Sequence, residues 1–554
     1  MLTGYPHTQI HDAPFFHKML EVARVSVTRY HELPLWNLFE CGGVPLWDNP
    51  QGIGAAPLVW VTLLVGSTHA LQIWFVVHSA VGVLCMWAFA RSELRLSPAA
   101  SMVASASWAF AGVHNQHFTG GHVVWVAYLY FPLAILFWRR AEHDLRAAVG
   151  LGLIAALAMY EGGTYPLPYL AVLLGVETLF RLWPIRRLLP IAKAAVVVVL
   201  VAFAVGAARF LPVLDQLLHH HRDIPPDTDA MTWANLKDVF LVREHGRAAD
   251  GQQYVWPEFG DYLGPLVFGL AILGMFTLAA SELWLLVLFC FSFALMCGHF
   301  SPHAPWSLLN TYVYPFKQMR VPSRFVALVT LFLSVFAGLA VDRIPRRFRF
   351  ARSGRARAFA SVFIVLGLVG VGDEISIGTT WAIQAFTGAP QDPRVTPALR
   401  LHYGNASAVG FLDTPNANVA DLGCWEEWAF ERDAPLWLGD VPQAHTLTPG
   451  VKVLLVDRTT NTFTVDVDAP TEGRILMNST YDRGWRSDRG TVSEMRKMLA
   501  VDVPAGKYTL HVKYWPHGLT AGLVISTFSL LALAVFFGRG LMIRARARRA
   551  TFAV

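Results

Sequence analysis

Long apolar runs separated by short polar segments make up most of the chain. A helix needs about 20 mainly apolar residues to cross a hydrocarbon core of roughly 30 Å. Eleven runs approach that length, and each predicts a membrane-spanning helix. They are 71–90, 99–113, 122–138, 147–160, 164–180, 190–212, 263–280, 282–298, 323–341, 358–376 and 517–538. The pattern therefore predicts an α-helical polytopic membrane protein, with a transmembrane domain over 71–389.

A different pattern follows over 390–515, where apolar and polar residues alternate. The alternating runs are VKVLLVD, TFTVDVDA, RILMNST, MLAVDVP and YTLHVKYW, separated by turns such as Pro504-Ala505-Gly506. Alternation with a period of two predicts strands with one buried face. We predict a β-sandwich-like domain here, followed over 516–554 by a final transmembrane helix and a basic tail. Asp466 and Asp468 fall on one face of such a strand, which predicts solvated side chains.

The first 70 residues contain a segment that fits neither pattern. Residues 33–51, LPLWNLFECGGVPLWDNPQ, hold three prolines and two adjacent glycines, which disfavour a regular helix. They also hold three large aromatic residues, which a merely solvated loop rarely carries. We predict a folded loop, anchored by these aromatics against a membrane surface. The alternative is a connection that only packs, and the proline-broken run 55–66 is predicted to be interfacial.

The distribution of arginine and lysine predicts the orientation. The predicted loops on one side and the C-terminal tail hold 21 of these residues, at 91–98, 139–146, 181–193, 342–357 and 539–549. The short loops on the other side hold only Lys317 and Arg320. Cytoplasmic loops carry the excess of positive charge, so the β domain and residues 1–70 are predicted to lie outside.

Export of residues 1–70 requires a preceding signal. The sequence has no charged-then-apolar leader before Tyr5. We therefore expect a longer reading frame, with one apolar span upstream of Met1 that this sequence lacks. A stop codon directly before Met1 in the genomic sequence would contradict that expectation.

Composition and motifs narrow the function. With 54% hydrophobic and 15% charged residues, the chain does not belong to the soluble class. The net charge of +6 reflects the basic loops, and no basic patch with interleaved aromatics predicts a nucleic-acid partner. Glycine-rich phosphate loops, a Ser-His-Asp order and CxxC pairs are also absent, which argues against ATPases and ordinary hydrolases. Cys41 and Cys424 both fall outside the membrane, where they could pair.

Several polar residues at the predicted outer helix ends are candidate substrate-binding residues. His114, His117 and His122 lie within nine residues but lack an acidic or cysteine companion at metal-ligand spacing. Over a metal site we therefore favour side chains that are satisfied locally or that line a water-filled cavity, and His117 is the candidate substrate-binding residue among them. Glu161 falls at the membrane edge, where a carboxylate either faces a polar cavity or is solvated at the interface.

Arg320 and Arg324 lie where a helix enters the bilayer from outside, against the positive-inside tendency. A guanidinium forks onto phosphate oxygens, so one interpretation is binding of a substrate phosphate. The other is simple anchoring at the interface.

Three motifs resemble the YfhO family of bacterial membrane proteins. HDAPFF followed by ELPLWNLFECGGVPLWDNPQG is similar to that family's first external loop, and YPFKQMRVPSRF resembles its entry to a late helix. NSTYDRGWRSDRG followed by VPAGKYTLHVKYWPHGLTAGLVIS resembles its closing β domain and final helix. The family's first helix is missing here, and His11 precedes the acid where glycine is common.

The resemblance implies a fold and a function. The family is similar to GT-C glycosyltransferases, which transfer a sugar from a polyprenyl-phosphate carrier outside the cytoplasm. Their catalytic acid lies in the first external loop, which implies Asp12 as the catalytic residue, with Asp48 as a rival or a substrate-binding residue. The implied location is the bacterial cytoplasmic membrane, the implied donor is a lipid-linked sugar, and the residues require no cofactor.

Two other function classes stay open. A non-catalytic scaffold or lipid-binding protein would keep the fold and tolerate Asp12 substitutions. A glycolipid transporter or flippase would show internal symmetry between halves, which the hydropathy pattern does not show.

Overall fold

The computed structural model describes residues 13–182, 187–220, 230–243, 260–347, 354–385, 402–404, 419–421, 434–437 and 442–552. Most of the described residues are helical. The helices that begin before residue 200 are α1 (Ala13–Thr28), α2 (Leu58–Val65), α3 (Ser67–Ser92), α4 (Pro98–Phe110), α5 (Gly112–Thr119), a 3-10 helix (Val123–Tyr130), α6 (Phe131–Ala141), α7 (Leu145–Tyr160), α8 (Pro166–Arg181) and α9 (Leu188–His219). The later helices are α10 (Trp233–Leu241), α11 (Gly264–Met275), a 3-10 turn (Ala280–Glu282), α12 (Leu283–Met296), α13 (Pro305–Tyr312), α14 (Tyr314–Lys317), a second 3-10 turn (Pro322–Phe325), α15 (Val326–Arg347), α16 (Gly354–Ala385) and α17 (Leu519–Phe552).

All eleven sequence ranges predicted as membrane spans contain helices. Among the described residues, six helical stretches are long and apolar enough to cross a membrane: Ser67–Ser92, Val123–Ala141, Leu188–His219, Pro322–Arg347, Ala358–Trp381 and Leu519–Gly538. Three other apolar helices, Leu145–Tyr160, Gly264–Met275 and Ala280–Met296, are shorter. The predicted, mostly helical fold is confirmed, and these six helices are compatible with a membrane protein. The membrane class and the number of spans stay predictions.

The helices surround α15, which lies at the centre of the bundle. Every residue from Val326 to Asp342 is buried, and α4, α11, α12 and α16 pack around it. The outer helices α9, α16 and α17 instead expose large apolar side chains such as Leu200, Val365 and Phe528. Such a belt is unfavourable in water and suits the hydrocarbon core of a bilayer.

The C-terminal region forms two four-stranded antiparallel sheets. One has the order β10-β11-β8-β5 and the other β6-β7-β12-β9. The strands are β5 (Ala444–Thr446), β6 (Lys452–Arg458), β7 (Thr462–Ala469), β8 (Gly473–Thr480), β9 (Trp485–Ser487), β10 (Thr491–Met495), β11 (Met498–Val503) and β12 (Gly506–Tyr514). Four shorter strands are β1 (Trp36–Asn37) and β2 (Val44–Pro45), which pair antiparallel, and β3 (His402–Gly404) and β4 (Val419–Asp421), which pair parallel.

The alternating sequence pattern predicted these strands well. On β7 the apolar residues Phe463, Val465 and Val467 are buried, as the period of two requires. Asp466 is exposed, and Asp468 pairs with Lys507 at 2.9 Å, so the prediction of solvated carboxylates is confirmed. Most of 390–441, the first part of the predicted domain, lies outside the described residues.

The loop over 33–51 is folded, but its aromatics do not face a membrane. Trp36, Phe39 and Trp47 are buried inside the protein. The Trp36 ring lies 5.2 Å from that of Trp485 and 4.5 Å from that of Tyr514, both in the β domain. The predicted membrane contact of these side chains is therefore wrong, because two domains of the protein cover them instead.

Backbone contacts fix the loop against the β domain. The Gly42 carbonyl accepts the Thr480 N–H at 3.0 Å. Gly43 has a φ of +112°, and a Cβ atom there would lie 2.7 Å from both Ser479 Oγ and Trp36 Nε1. Glycine is therefore required at this close approach. The preceding Cys41 is disulfide-bonded, and Cys424, its predicted partner, lies outside the described residues.

Candidate functional site

Two carboxylates meet where the loop, α9 and the β domain join. Gln216 Nε2 on α9 donates to Asp48 Oδ2 at 2.8 Å and to Asp482 Oδ2 at 3.0 Å. Tyr514 on β12 donates to the same Asp48 oxygen at 2.8 Å. The ring of His220 lies 3.7 Å from Asp482, and the Gly484 N–H donates to its other oxygen. We call Asp48 and Asp482 the acidic pair.

The two members of the acidic pair differ in electrostatics. Burial, with the Asp482 charge as a second cause, raises the pKa of Asp48 to about 7. The pKa of Asp482 is lowered, since hydrogen bonds from His220, Gly484 and Gln216 outweigh its burial. Asp48 Oδ1 is also buried and has no hydrogen-bond partner. At neutral pH Asp48 is therefore protonated in about half of the molecules, whereas Asp482 is ionised.

This placement predicts how stability depends on pH. A folded-state pKa raised above the unfolded value of about 3.9 contributes stability that is present below pH ~4 and lost as the pH rises towards 7. In the wild-type protein, Asp48 should make the free energy of unfolding fall by up to about 1.4 kcal/mol per pH unit over that window. Asp48→Asn does not titrate, so it should lose this part of the fall. Thermal unfolding in detergent between about pH 5 and 8 measures it. If the stability of wild type and of Asp48→Asn depended equally on pH, the assignment would be contradicted. Other buried acids contribute the same pH dependence to both proteins, so their effect cancels in the comparison.

A proline in α9 explains how this helix holds the loop over residues 33–51. Pro212 has no N–H, so the Ala208 carbonyl four residues earlier lacks its helical donor. The indole N–H of Trp47 donates to that carbonyl at 2.9 Å. The neighbouring Arg209, which is 1% exposed, donates to the carbonyls of Asn49 at 2.5 Å and Gly52 at 2.6 Å. The loop is thus clamped to the helix by groups buried in the protein.

An apolar cavity of about 340 Å³ opens beside this clamp. It lies between three helices: the start of α8, the last turns of α9, and α14. Pro50 of the loop also contributes to its wall. Most of its lining is apolar, with Arg209, Gln318 and Tyr165 among the polar exceptions. Its volume falls in the range of small-molecule and lipid sites. Asp48 does not line it.

An aromatic stack joins the cavity to two of the predicted residues. Tyr165 lines the cavity and lies parallel to Trp125 at 5.5 Å, and Trp125 stacks on His117 at 3.9 Å. The guanidinium of Arg324 lies 4.6 Å from the Tyr165 ring and 5.0 Å from the Trp125 ring. Arg324 is 7% exposed, so interfacial anchoring does not describe it. Arg320 is half-buried next to Met319, which also lines the cavity.

Glu161 has a more enclosed position than the sequence suggested. It is 2% exposed and accepts the Tyr130 hydroxyl at 2.9 Å, with His78 Nε2 at 3.3 Å. The solvated alternative is therefore wrong. The next residue, Gly162, has a φ of +77°, and a Cβ there would lie 3.1 Å from the Gln51 carbonyl oxygen. This close approach keeps the turn after α7 against the loop.

The structure thus places His117 and Arg324 on the aromatic stack beside the cavity, with Arg320 at its edge. Glu161 and Asp48 lie in two other hydrogen-bonded groups. Asp12, the predicted catalytic residue, lies outside the described residues, directly before α1. The other two acids near it are engaged, since Glu21 pairs with Arg24 at 2.6 Å and Glu32 accepts from Thr459 at 2.7 Å.

Sequence reasoning missed Arg209, Gln216, Asp482 and Tyr514. Arg209 had a signal, because a lone arginine in the apolar run 190–212 is expensive near lipid and calls for a partner. Pro212 in the same run signalled a free carbonyl four residues before it. Gln216, Asp482 and Tyr514 had no such local signal.

No group of three or more His, Cys, Asp or Glu residues suited to a metal ion occurs among the described residues. His117 instead lies with its Nδ1 atom 2.9 Å from His122 Nδ1. No model of a known protein family matches the chain, and no curated protein matches it either. Membership of the YfhO family therefore stays a prediction from the sequence motifs.

Proposed function

We propose that this protein is a membrane glycosyltransferase of the YfhO and GT-C type. It transfers a sugar from a polyprenyl-phosphate carrier to an acceptor on the outer side of the bacterial cytoplasmic membrane. The observation that carries the proposal is the apolar cavity between the helix ends. The buried Arg324 lies over the ring of Tyr165, which lines the cavity, and Arg320 follows the lining residue Met319. That combination suits an isoprenoid chain with a phosphate headgroup.

The position of the cavity supports the same proposal. It lies at the helix ends next to the loop and the β domain, whereas Arg91, Arg139 and Arg346 lie at the opposite helix ends. By the positive-inside rule the cavity end is the outer side. A lipid-linked donor would then keep its chain among the helices and present its sugar towards water.

The roles of the residues follow from the chemistry of transfer. Asp12 acts as general base on the acceptor hydroxyl. Arg320 and Arg324 stabilise the charge that grows on the leaving phosphate. The acidic pair and Arg209 hold the loop in place, and a direct contact between Asp48 and substrate would require that interface to open.

A matched pair of substitutions tests the cavity. Leu217 lines it, whereas its neighbour Leu218 is 63% exposed. Leu217→Trp should fill the cavity and raise the KM for the lipid-linked donor roughly tenfold, a loss of about 1.4 kcal/mol in binding. Leu218→Trp should leave the KM near the wild-type value. Equal KM values in both variants would show that the donor does not use this cavity.

A second test concerns the arginines. Arg320→Gln and Arg324→Gln should each raise the donor KM, because each removes a charge-assisted hydrogen bond of about 1.5–3 kcal/mol. Thermal unfolding of each variant separates this effect from a loss of folding, which matters most for Arg324 on its aromatic stack. Wild-type KM values in both folded variants would leave these arginines a structural role alone.

A lipid-binding protein without transferase activity is the second candidate. The almost wholly apolar lining of the cavity favours it, since lipid binding needs no catalytic residue. Donor binding without transfer in the full-length protein would decide for this candidate.

A further inference from the structure

A second polar cluster lies inside the helical bundle, and none of its members lines the cavity. Asp261, just before α11, accepts the Val113 N–H at 2.8 Å and the hydroxyl of Thr330 on α15. Glu374 on α16 accepts the hydroxyl of Ser107 on α4 at 3.2 Å. Ser107 in turn lies 3.3 Å from Ser334 on α15. Four elements of the bundle therefore converge on two carboxylates.

Both carboxylates are buried without a cation. Asp261 is 0% exposed and Glu374 is 1% exposed. Within the described part of the chain, neither forms a salt bridge with lysine, arginine or histidine. Glu374 Oε2 is buried and has no hydrogen-bond partner. Two neighbouring buried carboxylates with no counter-charge cannot both stay ionised at an acceptable free energy.

The surrounding groups do not supply the missing charge. Asp373, next to Glu374, is occupied by Arg243 at 3.1 Å and by the hydroxyl of Tyr262. On α5, His114 packs edge-on against Trp108, and burial lowers the pKa of its imidazole to about 3, so it is neutral. The facing residues of α4 and α15 are serine and threonine, which carry no charge.

We propose that Asp261 and Glu374 form a proton-binding site, in which Glu374 holds one exchangeable proton on Oε2 and Asp261 is the member that ionises first as the pH rises. The two donors on Asp261 favour its charged form, and Glu374 has one donor and one free oxygen. The proton comes from water and returns to it, with no other bond made or broken. A metal ion is a poorer occupant, since the described residues offer no metal-binding group of three acidic, histidine or cysteine side chains.

Infrared spectroscopy of the full-length protein in lipid nanodiscs tests the site directly. At about pH 8.5 solvated carboxyls, whose pKa values lie near 4, are ionised, and so is Asp48. The wild-type protein should still show one buried carboxylic-acid C=O band, which shifts in D₂O as the proton exchanges. Absence of the band, or a band that never shifts in D₂O, would overturn the proposal without any variant.

Two variants assign the band. Glu374→Gln keeps the shape of the protonated side chain and should abolish the band completely. Asp373→Asn, a change at the neighbouring ion-paired carboxylate, should leave the band at full intensity. A full band in Glu374→Gln would place the proton elsewhere and contradict the proposal. None of these outcomes depends on sugar transfer, so the proton site and the proposed function stand or fall separately.

Discussion

Asp12→Asn is expected to lower the rate of sugar transfer about 10²-fold or more, the scale for removing a general base. Asp12 is the first acidic residue of the chain, and it precedes α1, whose Phe15 and Phe16 are buried in the core. In the proposed reaction this carboxylate is the general base on an acceptor hydroxyl that arrives from water while the donor lies in lipid. The measurement is transfer of radiolabelled sugar by the full-length protein, with membrane insertion checked separately.

Two control variants make this result specific. Glu21→Gln removes a carboxylate nine residues away that already pairs with Arg24, and it should leave transfer near the wild-type rate. Asp48→Asn should act mainly on stability, because Asp48 is buried between Gln216 and Tyr514. Transfer at the wild-type rate by Asp12→Asn, with a large loss in Asp48→Asn, would reverse the two roles.

Arg209→Met is expected to lower the free energy of unfolding by about 3–5 kcal/mol, since hydrogen bonds from a charged donor contribute about 1.5–3 kcal/mol each. Methionine fills much of the same space but leaves the buried carbonyls of Asn49 and Gly52 without this donor. The loop should then detach from α9. Thermal or denaturant unfolding in detergent measures the loss.

The matched control for this variant is Arg483→Met. Arg483 is 42% exposed and lies 3.7 Å from Asp215, so its removal should cost less than about 0.5 kcal/mol. Equal losses in the two variants, or a loss under about 1 kcal/mol for Arg209→Met, would show that the clamp does not hold the loop.

The sequence predicted the elements of this fold better than it predicted their contacts. Hydrophobic periodicity is local, so the strand over Thr462–Ala469 and the helices in all predicted spans could be recognised from neighbouring residues alone. The loop over 33–51 illustrates the limit. Its aromatics were predicted to anchor the loop on a membrane surface, with packing inside the protein as the alternative. Packing is what the structure shows, and it depends on residues more than 400 positions later.

The candidate site also combines residues that local sequence can single out with residues that only the folded structure reveals. Arg324, His117 and Glu161 could be chosen because charged or polar residues at a membrane edge are costly and need a reason. The acidic pair could not, because Asp48, Gln216 and Asp482 are ordinary residues in their own segments and become unusual only when folding brings them together. Even Asp482, which lies in one of the motifs that resemble the YfhO family, had no property that predicted Asp48 as its neighbour.

Transfer of a radiolabelled sugar from a polyprenyl phosphate is the measurement that tests the proposed function most directly. The full-length protein would be reconstituted in vesicles with the labelled donor and a lipid extract as the source of acceptors. We predict that label leaves the carrier and enters the acceptor fraction, and that Asp12→Asn prevents this. Label that binds to the protein yet stays on the carrier, in wild type and variant alike, would contradict the transferase and identify a lipid-binding protein instead.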